Sequence, residues 1–225
     1  MKQLLVAGIC LFCIFMLSCS SLRQVRPLEK GESRLSLSAG GPFTKVGNLY
    51  IPMPLISLGY NYGVTEKLDA EVGTNIFAMM YGIAHIDAGV NWRPFKPRNY
   101  VPGLILSPKI FGMTDFKPGD SRIYPDLGFT AYCEITQDRL MDLGLENFFE
   151  LSTKREDGNK QQNNWLIAPY TGISLGNKIW QFQFEAKLYT PNLPNNLHTA
   201  KNLGIGDHGI FGVFLGVSRS FGGAR

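Results

Sequence analysis

The sequence predicts an all-β protein folded as an antiparallel, up-and-down transmembrane β-barrel of about ten strands. Apolar and polar residues alternate with a period of two in segment after segment of the chain. Several of these segments have about ten residues, the length that a tilted strand needs to cross the hydrocarbon layer. With 225 residues, 25 glycines, 12% aromatic residues and only 18% charged residues, the composition fits one turn-rich domain with few charges.

An apolar stretch at the N-terminus has the features of an export signal. Lys2 supplies a positive charge, and 4–17 is an apolar run too short for a comfortable permanent membrane helix. Ser18 directly precedes Cys19, which resembles a lipoprotein lipobox, although Met16 stands where leucine is commoner. The resemblance implies a lipoprotein signal peptide over 1–18 and a lipid on Cys19. An ordinary cleaved signal and a retained membrane anchor are the alternatives.

Cysteine content and charge exclude several classes of function. After removal of the signal peptide only Cys19 and Cys133 remain, so no paired thiolates are available for a metal site. The alternation places Cys133 on the lipid-facing side of its strand. The formal net charge of +4 is too small to indicate a nucleic-acid partner. We predict neither a cofactor nor a metal.

The segment 84–92 illustrates the alternation. One face is apolar and the other is polar or small; the apolar face has Ala84, Ile86, Ala88, Val90 and Trp92, and the opposite face has His85, Asp87, Gly89 and Asn91. The segment 180–188 repeats this division, with Phe182 and Phe184 against Gln183 and Glu185. Alternation alone does not separate a barrel from a soluble β-sandwich. Strand length and the aromatic residues at the ends of the apolar faces, such as Tyr60 and Trp180, favour the membrane barrel.

The predicted strands are joined by connections of alternating length. About ten strands are expected, at 34–40, 54–63, 66–78, 81–93, 101–112, 122–136, 140–152, 164–176, 178–190 and 209–221. Tight turns follow the second, sixth and eighth of these strands, whereas long polar connections follow the fifth, seventh and ninth. Two links depart from the rule: 93–101 is a longer turn, and Met79-Met80 is a short one. An even strand number places both ends of the barrel on one side, where a lipid in the inner leaflet would also lie.

Two segments resemble parts of bacterial outer-membrane barrel proteins. The hairpin 62–69 begins with Tyr62 and Gly63, turns, and continues with Leu68 and Asp69. The segment 213–221 resembles the C-terminal strand that the barrel-assembly machinery reads, although four residues follow Phe221 here.

This resemblance implies a protein of the cell outer membrane, lipid-anchored at its N-terminus. It further implies a lipidated periplasmic tether over 19–33 and a barrel over 34–225. The expected partners are outer-membrane lipid, including lipopolysaccharide, and the barrel-assembly machinery.

The inward faces of the predicted strands carry a network of charged residues. We expect in the lumen Asp69, Glu71, His85, Asp87, Lys109, Asp126, Glu134, Asp142, Glu146, Glu150, Glu185 and Lys187. Charges in so narrow a lumen must be paired or hydrated. The favoured interpretation is a packed polar interior and a structural or passive-transport role. A narrow pore is the first alternative, and the excess of acids predicts that it would prefer cations.

Two further alternatives remain open. The histidines His85, His198 and His208 are predicted towards the outer end, and Asp207 lies beside His208. Outer-membrane hydrolases use histidine and acidic residues near the rim, so a rim hydrolase or acyltransferase is one alternative. No catalytic motif accompanies these histidines, and no catalytic residue is assigned. The other alternative is a lipid-anchored soluble β-sandwich or a lipocalin-like binder.

Overall fold

The computed structural model describes 22–98, 101–116, 121–153, 163–195 and 201–222. These residues form a closed antiparallel β-barrel. The signal peptide 1–18, Cys19 and His198 lie outside the described residues. Across the described ranges, no helix has both the length and the hydrophobicity required to cross a bilayer.

Eleven strands and one short helix make up the described part of the chain. In chain order they are β1 (Ser33–Val46), β2 (Leu49–Pro52), β3 (Leu55–Thr65), β4 (Leu68–Asn75), α1 (Ile76–Met80), β5 (Ile83–Phe95), β6 (Gly103–Asp115), β7 (Ser121–Thr136), β8 (Arg139–Phe149), β9 (Trp165–Gly176), β10 (Trp180–Pro194) and β11 (His208–Phe221). Strand β2 pairs with β1, and the other ten strands form the barrel wall. The predicted class and strand number of the barrel are confirmed.

The first and last strands close the sheet. Ten residue pairs join β1 to β11, from Ser33 opposite Phe221 to Pro42 opposite Gly212. Every other neighbour in the wall is adjacent along the chain, apart from β1 and β3, between which the β2 hairpin is inserted. Closure leaves no free edge along the wall, which rules out the β-sandwich alternative.

The two ends of the barrel differ in the length of their connections. The turn end carries the short connections after β3, β7 and β9, together with the start of β1 and the end of β11. The loop end carries the β1–β2 hairpin, α1 and the connections after β6, β8 and β10. The even strand number thus brings both ends of the barrel wall to the turn end, as predicted.

The loop end departs from prediction in two places. The Met79-Met80 link is not a simple turn, because α1 begins after Asn75, whose side chain accepts a hydrogen bond of 2.8 Å from the Ala78 N–H. Strand β1 is also longer than expected. It continues beyond the wall to Val46 and returns as β2, and Thr44 forms a bridge to Asn202 in the connection before β11.

The exterior of the wall is apolar and the interior is polar. In β5, Ile86 and Trp92 are exposed whereas His85, Asp87 and Asn91 are buried, which confirms the predicted faces of this strand. Exposed aromatic residues lie near both ends of the wall: Tyr60, Tyr62, Trp92, Phe95, Trp180 and Phe221 at the turn end, and Tyr81, Phe116, Phe149 and Trp165 at the loop end. A lipocalin-like binder has the opposite arrangement, with an apolar interior and a wet exterior.

The segment before β1 enters the barrel instead of lying outside it. We call residues 22–32 the lumen segment. Leu22 packs in an apolar cluster on the loop side of the lumen, and Val25 packs in a second cluster on the turn side. Arg26 then donates hydrogen bonds to the Gln137 and Gly176 carbonyls at the turn end. The chain therefore descends through the lumen before β1 starts, over a range that the sequence predicted as part of a periplasmic tether.

The charged barrel lumen as candidate functional site

The lumen contains most of the charged residues that alternation assigned to it. Their side chains are buried inside the wall: Asp69, His85, Asp87, Lys109, Asp126, Asp142, Glu146, Glu150, Glu185 and Lys187. Glu71 is slightly exposed and faces Lys109. Glu134 departs from the prediction and is exposed. It has the inward parity, but it lies two residues from the end of β7, where the inner face meets solvent.

Arg23 of the lumen segment organises the central charges. Its guanidinium lies 2.5 Å from an Asp126 oxygen and 2.7 Å from a Glu146 oxygen, and its backbone N–H faces Glu185 at 3.4 Å. Lys187 completes the cluster, with its Nζ 3.0 Å from Glu146 and 3.1 Å from Glu185. Four separate parts of the chain therefore meet here: the lumen segment, β7, β8 and β10.

A second group of polar residues lies beside this central cluster. Lys109 is ion-paired with Glu71. The other Glu71 oxygen accepts hydrogen bonds from the amides of Asn61, at 3.2 Å, and Asn91, at 2.7 Å. Ser107 donates to the Asn91 side chain at 2.6 Å. These contacts satisfy a carboxylate and an ammonium that would be costly to bury alone.

A third group occupies the turn side of the lumen. Arg93 is ion-paired with Asp69, and both are buried. Arg34 donates to the Arg26 carbonyl at 2.8 Å and lies 3.8 Å from Glu32. The apolar side chains of Val25, Ile105, Tyr132 and Leu140 pack together on the same side of the lumen. The described lumen thus contains both apolar clusters and charge pairs.

Arginines such as Arg93, Arg34 and Arg23 were missing from the predicted network. Arg93 has the same parity as Asp87 and Asn91 in β5, so the alternation was sufficient to place it inside. Arg34 follows the same rule in β1. Arg23 carried no such signal, because its segment has no period and its partners are more than one hundred residues away along the chain.

The histidines do not assemble into a rim site among the described residues. His85 is buried in the lumen, with its ring 6.1 Å from that of Phe111. His208 is exposed at the start of β11. Within the described ranges, no group of three or more His, Cys, Asp or Glu side chains is arranged to hold a metal ion. The geometry seen here supports charge pairing and packing, and no observation favours hydrolysis at the rim.

Comparison with known proteins gives structural likenesses only. No protein-family profile and no curated protein sequence matches this chain. The chain is similar to the translocator domain of the autotransporter NalP from Neisseria meningitidis, with 8% identity, a TM-score of 0.43, and coverage of 97% of this chain and 96% of that one. It is similar to the outer membrane protein OprG from Pseudomonas aeruginosa, with 10% identity, a TM-score of 0.30, and coverage of 89% and 100%.

A third similar structure is an outer membrane channel from Pseudomonas putida F1. It has 11% identity, a TM-score of 0.38, and coverage of 88% of this chain and 100% of that one. At these identities and TM-scores, no property of the three proteins is carried over to this chain.

Proposed function

We propose that this chain is an integral protein of a bacterial outer membrane with a structural role, in which the barrel is sealed by its own N-terminal segment. This proposal rests on the polarity of the closed wall, which is apolar on the outside and polar on the inside, the reverse of a soluble protein. Leu37, Ile86, Leu143, Phe182 and Leu215 are all more than two-fifths exposed on the outside. Such a surface suits hydrocarbon, because a closed sheet satisfies every wall amide internally.

The aromatic residues at the two ends of the wall support the same placement. Trp and Tyr side chains favour the membrane–water interfaces on both sides of a bilayer. At the turn end, Arg219 stacks on Trp180 and Phe221, with its guanidinium carbon 5.3 and 4.9 Å from the ring centroids. A cation between two interfacial rings suits a layer of phosphate head groups.

The lumen segment favours a structural role over a pore. Leu22 and Val25 pack in two apolar clusters of the interior, and Arg23 is paired with Asp126. Ion conduction requires a continuous polar path, and we infer that the seated segment obstructs it. We further propose that lipopolysaccharide contacts the loop end and that the barrel-assembly machinery reads β11.

Lipidation of Cys19 is part of the proposal and has a geometric consequence. Two residues, Ser20 and Ser21, separate Cys19 from Leu22, and the three Cα-to-Cα steps between them reach at most about 10 Å. From Leu22 the chain needs four further steps to reach Arg26, whose side chain bonds carbonyls at the turn end. A lipid inserted at the turn end therefore competes with the seating of Leu22 in the lumen, and the even strand number alone does not decide where the lipid lies.

Intact-mass analysis of the protein extracted from membranes tests the lipidation. We expect a mature chain that begins at Cys19 and carries added acyl mass, and a Cys19→Ala variant that lacks this mass. Trypsin cleavage after Arg23 then reports on the segment, since a lipid held at the turn end would expose this bond and a seated Leu22 protects it. An unmodified mass would remove the anchor from the proposal and leave the barrel.

Electrophoresis and bilayer recording test the sealed barrel. We expect the unlipidated wild-type chain, refolded into phospholipid vesicles, to migrate differently before and after boiling and to show no steady conductance. A chain that never gives a heat-modifiable band in vesicles would overturn the membrane barrel. A steady conductance from this unlipidated protein would instead overturn the seal.

A further inference from the structure

The lumen segment fits a seat formed by glycines of the wall. Gly216, Gly128 and Gly63 belong to three different strands, and all three face the lumen. A Cβ at Gly128 would lie 2.8 Å from the Arg23 guanidinium, and one at Gly63 would lie 3.2 Å from the Leu28 Cβ. A Cβ at Gly216 would overlap the Leu22 side chain. The wall therefore lacks side chains at the places where this segment requires room.

The seat is also complementary in charge. Asp126, Glu146 and Glu185 come from β7, β8 and β10 and face Arg23 within 2.5 to 3.4 Å. A guanidinium presents several N–H donors in a rigid fork, so it can bond two carboxylates at once. The Gln183 amide adds a bond of 2.9 Å to the Arg23 carbonyl, which positions the backbone as well as the side chain.

The segment is held by side chains and does not form a strand of the wall. The bonds described for Arg23 and Arg26 join it to side chains of Glu146, Asp126 and Arg34 or to carbonyls of the turns. Backbone pairing with β3 starts only where Gly31 donates to the Gly63 carbonyl. Withdrawal of the segment would consequently leave the β-ladders of the barrel intact.

We propose that Asp126, Glu146 and Glu185 form a guanidinium-binding site that Arg23 occupies within the same chain, and that withdrawal of the lumen segment opens a cation-selective passage. The vacated centre would hold five carboxylates, those of Glu71, Asp126, Asp142, Glu146 and Glu185, against the two lysines Lys109 and Lys187. An acidic lining favours cations. The inference rests on the proposed membrane barrel. It goes further, because it makes Arg23 a removable ligand of the wall carboxylates and not only part of a permanent seal.

Charge reversal at Arg23 tests the site without altering the wall. In Arg23→Glu the new carboxylate faces three others, so the segment is expelled and the refolded protein conducts. A salt gradient across the planar bilayer should give a reversal potential of the sign for cation preference. Lys30→Glu is the matched control, because Lys30 lies in the same segment, carries the same charge and is exposed. It should remain silent like the wild type.

A steric variant provides a second route that retains every charge. Gly128→Leu combined with Gly216→Leu fills the places of Arg23 and Leu22 and should also open the passage. Gly112→Leu serves as control, because its Cβ would be no closer than 3.8 Å to any neighbouring atom. Arginine amide should block the opened Arg23→Glu barrel at about a tenfold lower concentration than lysine amide, since only the guanidinium bonds two carboxylates in parallel.

The possible results separate this proposal from the proposed function. If wild type and variants insert as heat-modifiable barrels and Arg23→Glu stays silent, the guanidinium site is wrong and the membrane barrel stands. An anion-preferring or unselective conductance in Arg23→Glu, or equal block by the two amides, also overturns the site. If the wild type fails to insert at all, the membrane barrel itself is wrong.

Discussion

Leu143 and Asp142 are neighbours in β8 that lie on opposite sides of the barrel wall. Leu143 is 65% exposed on the outside, whereas Asp142 is buried in the lumen. Alternation predicted both positions, because successive side chains in a strand point to opposite faces. The energetic consequence at each residue depends on whether the outer face meets hydrocarbon or water.

We predict that Leu143→Arg destabilises the folded barrel in phospholipid vesicles by about 2–4 kcal/mol, the cost of an arginine on the lipid face near the middle of a bilayer. Ile205→Arg is the control, since Ile205 is similarly exposed but lies in the connection before β11 at the loop end. It should change the free energy of unfolding by less than about 0.5 kcal/mol. Denaturant titration of both variants measures the difference, and equal effects would indicate that Leu143 faces water.

Asn147 shows where parity alone misses the local environment. It occupies an outward position of β8 but is buried, because the Trp165 indole N–H donates to its side-chain oxygen at 3.2 Å. Its amide donates in turn to the Leu127 carbonyl at 3.0 Å. Its parity in β8 alone places Asn147 on the outer face, among apolar neighbours. The covering indole comes from β9 and required the register of β8 with β9.

At the scale of elements, the β1–β2 hairpin projects beyond the loop end of the wall, and its two strands pair with each other there. Pro42 and Met53 bracket the hairpin and are already joined by a backbone hydrogen bond of 2.9 Å. The hairpin has contacts of its own, with Thr44 paired to Asn202 and Phe43 stacked on Phe211 at 5.9 Å. The ten closing pairs between β1 and β11 lie below it.

Replacement of residues 43–52 by Asn-Gly should therefore leave a folded barrel, because that dipeptide suits a two-residue hairpin. We expect heat-modifiable migration to be retained and the connection before β11 to be cleaved faster by protease. Removal of an equal number of residues from β5 is the control and should abolish the folded form. Loss of folding in both variants would show that the hairpin is required for assembly.

The elements also differ in how far sequence could predict them. The wall strands were predictable because each one carries its own alternation. Helix α1 was missed because five residues between two strands have no helical period to detect. For the lumen segment the sequence indicated only a periplasmic tether, because this range shows no strand period. Its burial depends on carboxylates supplied by β7, β8 and β10.

At the scale of the whole molecule, closure joins the two ends of a long chain. Ser33 pairs with Phe221, so the wall is complete only when the last strand reaches the first. Contacts of such sequence separation form after the local hairpins, since the entropy of loop closure opposes them. The interior layers also require closure, because the loop-side cluster includes Phe214 of β11.

A pair of truncations tests this dependence. A chain that ends at residue 222 retains β11. It should fold into a barrel that migrates as a heat-modifiable band, although it lacks residues 223–225. A chain that ends at residue 207 lacks β11, leaves the edges of β1 and β10 unpaired, and should give no such band. A folded band from the shorter chain would contradict closure through β1 and β11.

The sequence by itself determined the β class, the number of wall strands, the two faces of strands such as β5 and most of the charged lumen. These properties are local, because a period of two and the positions of turns are encoded within each segment. Only the tertiary structure decided that residues 22–32 fill the lumen and that Arg23 joins Asp126 to Glu146. Those contacts link parts of the chain more than one hundred residues apart. They exist only after the sheet has closed around the lumen, and no single segment of the sequence contains the information for that closure.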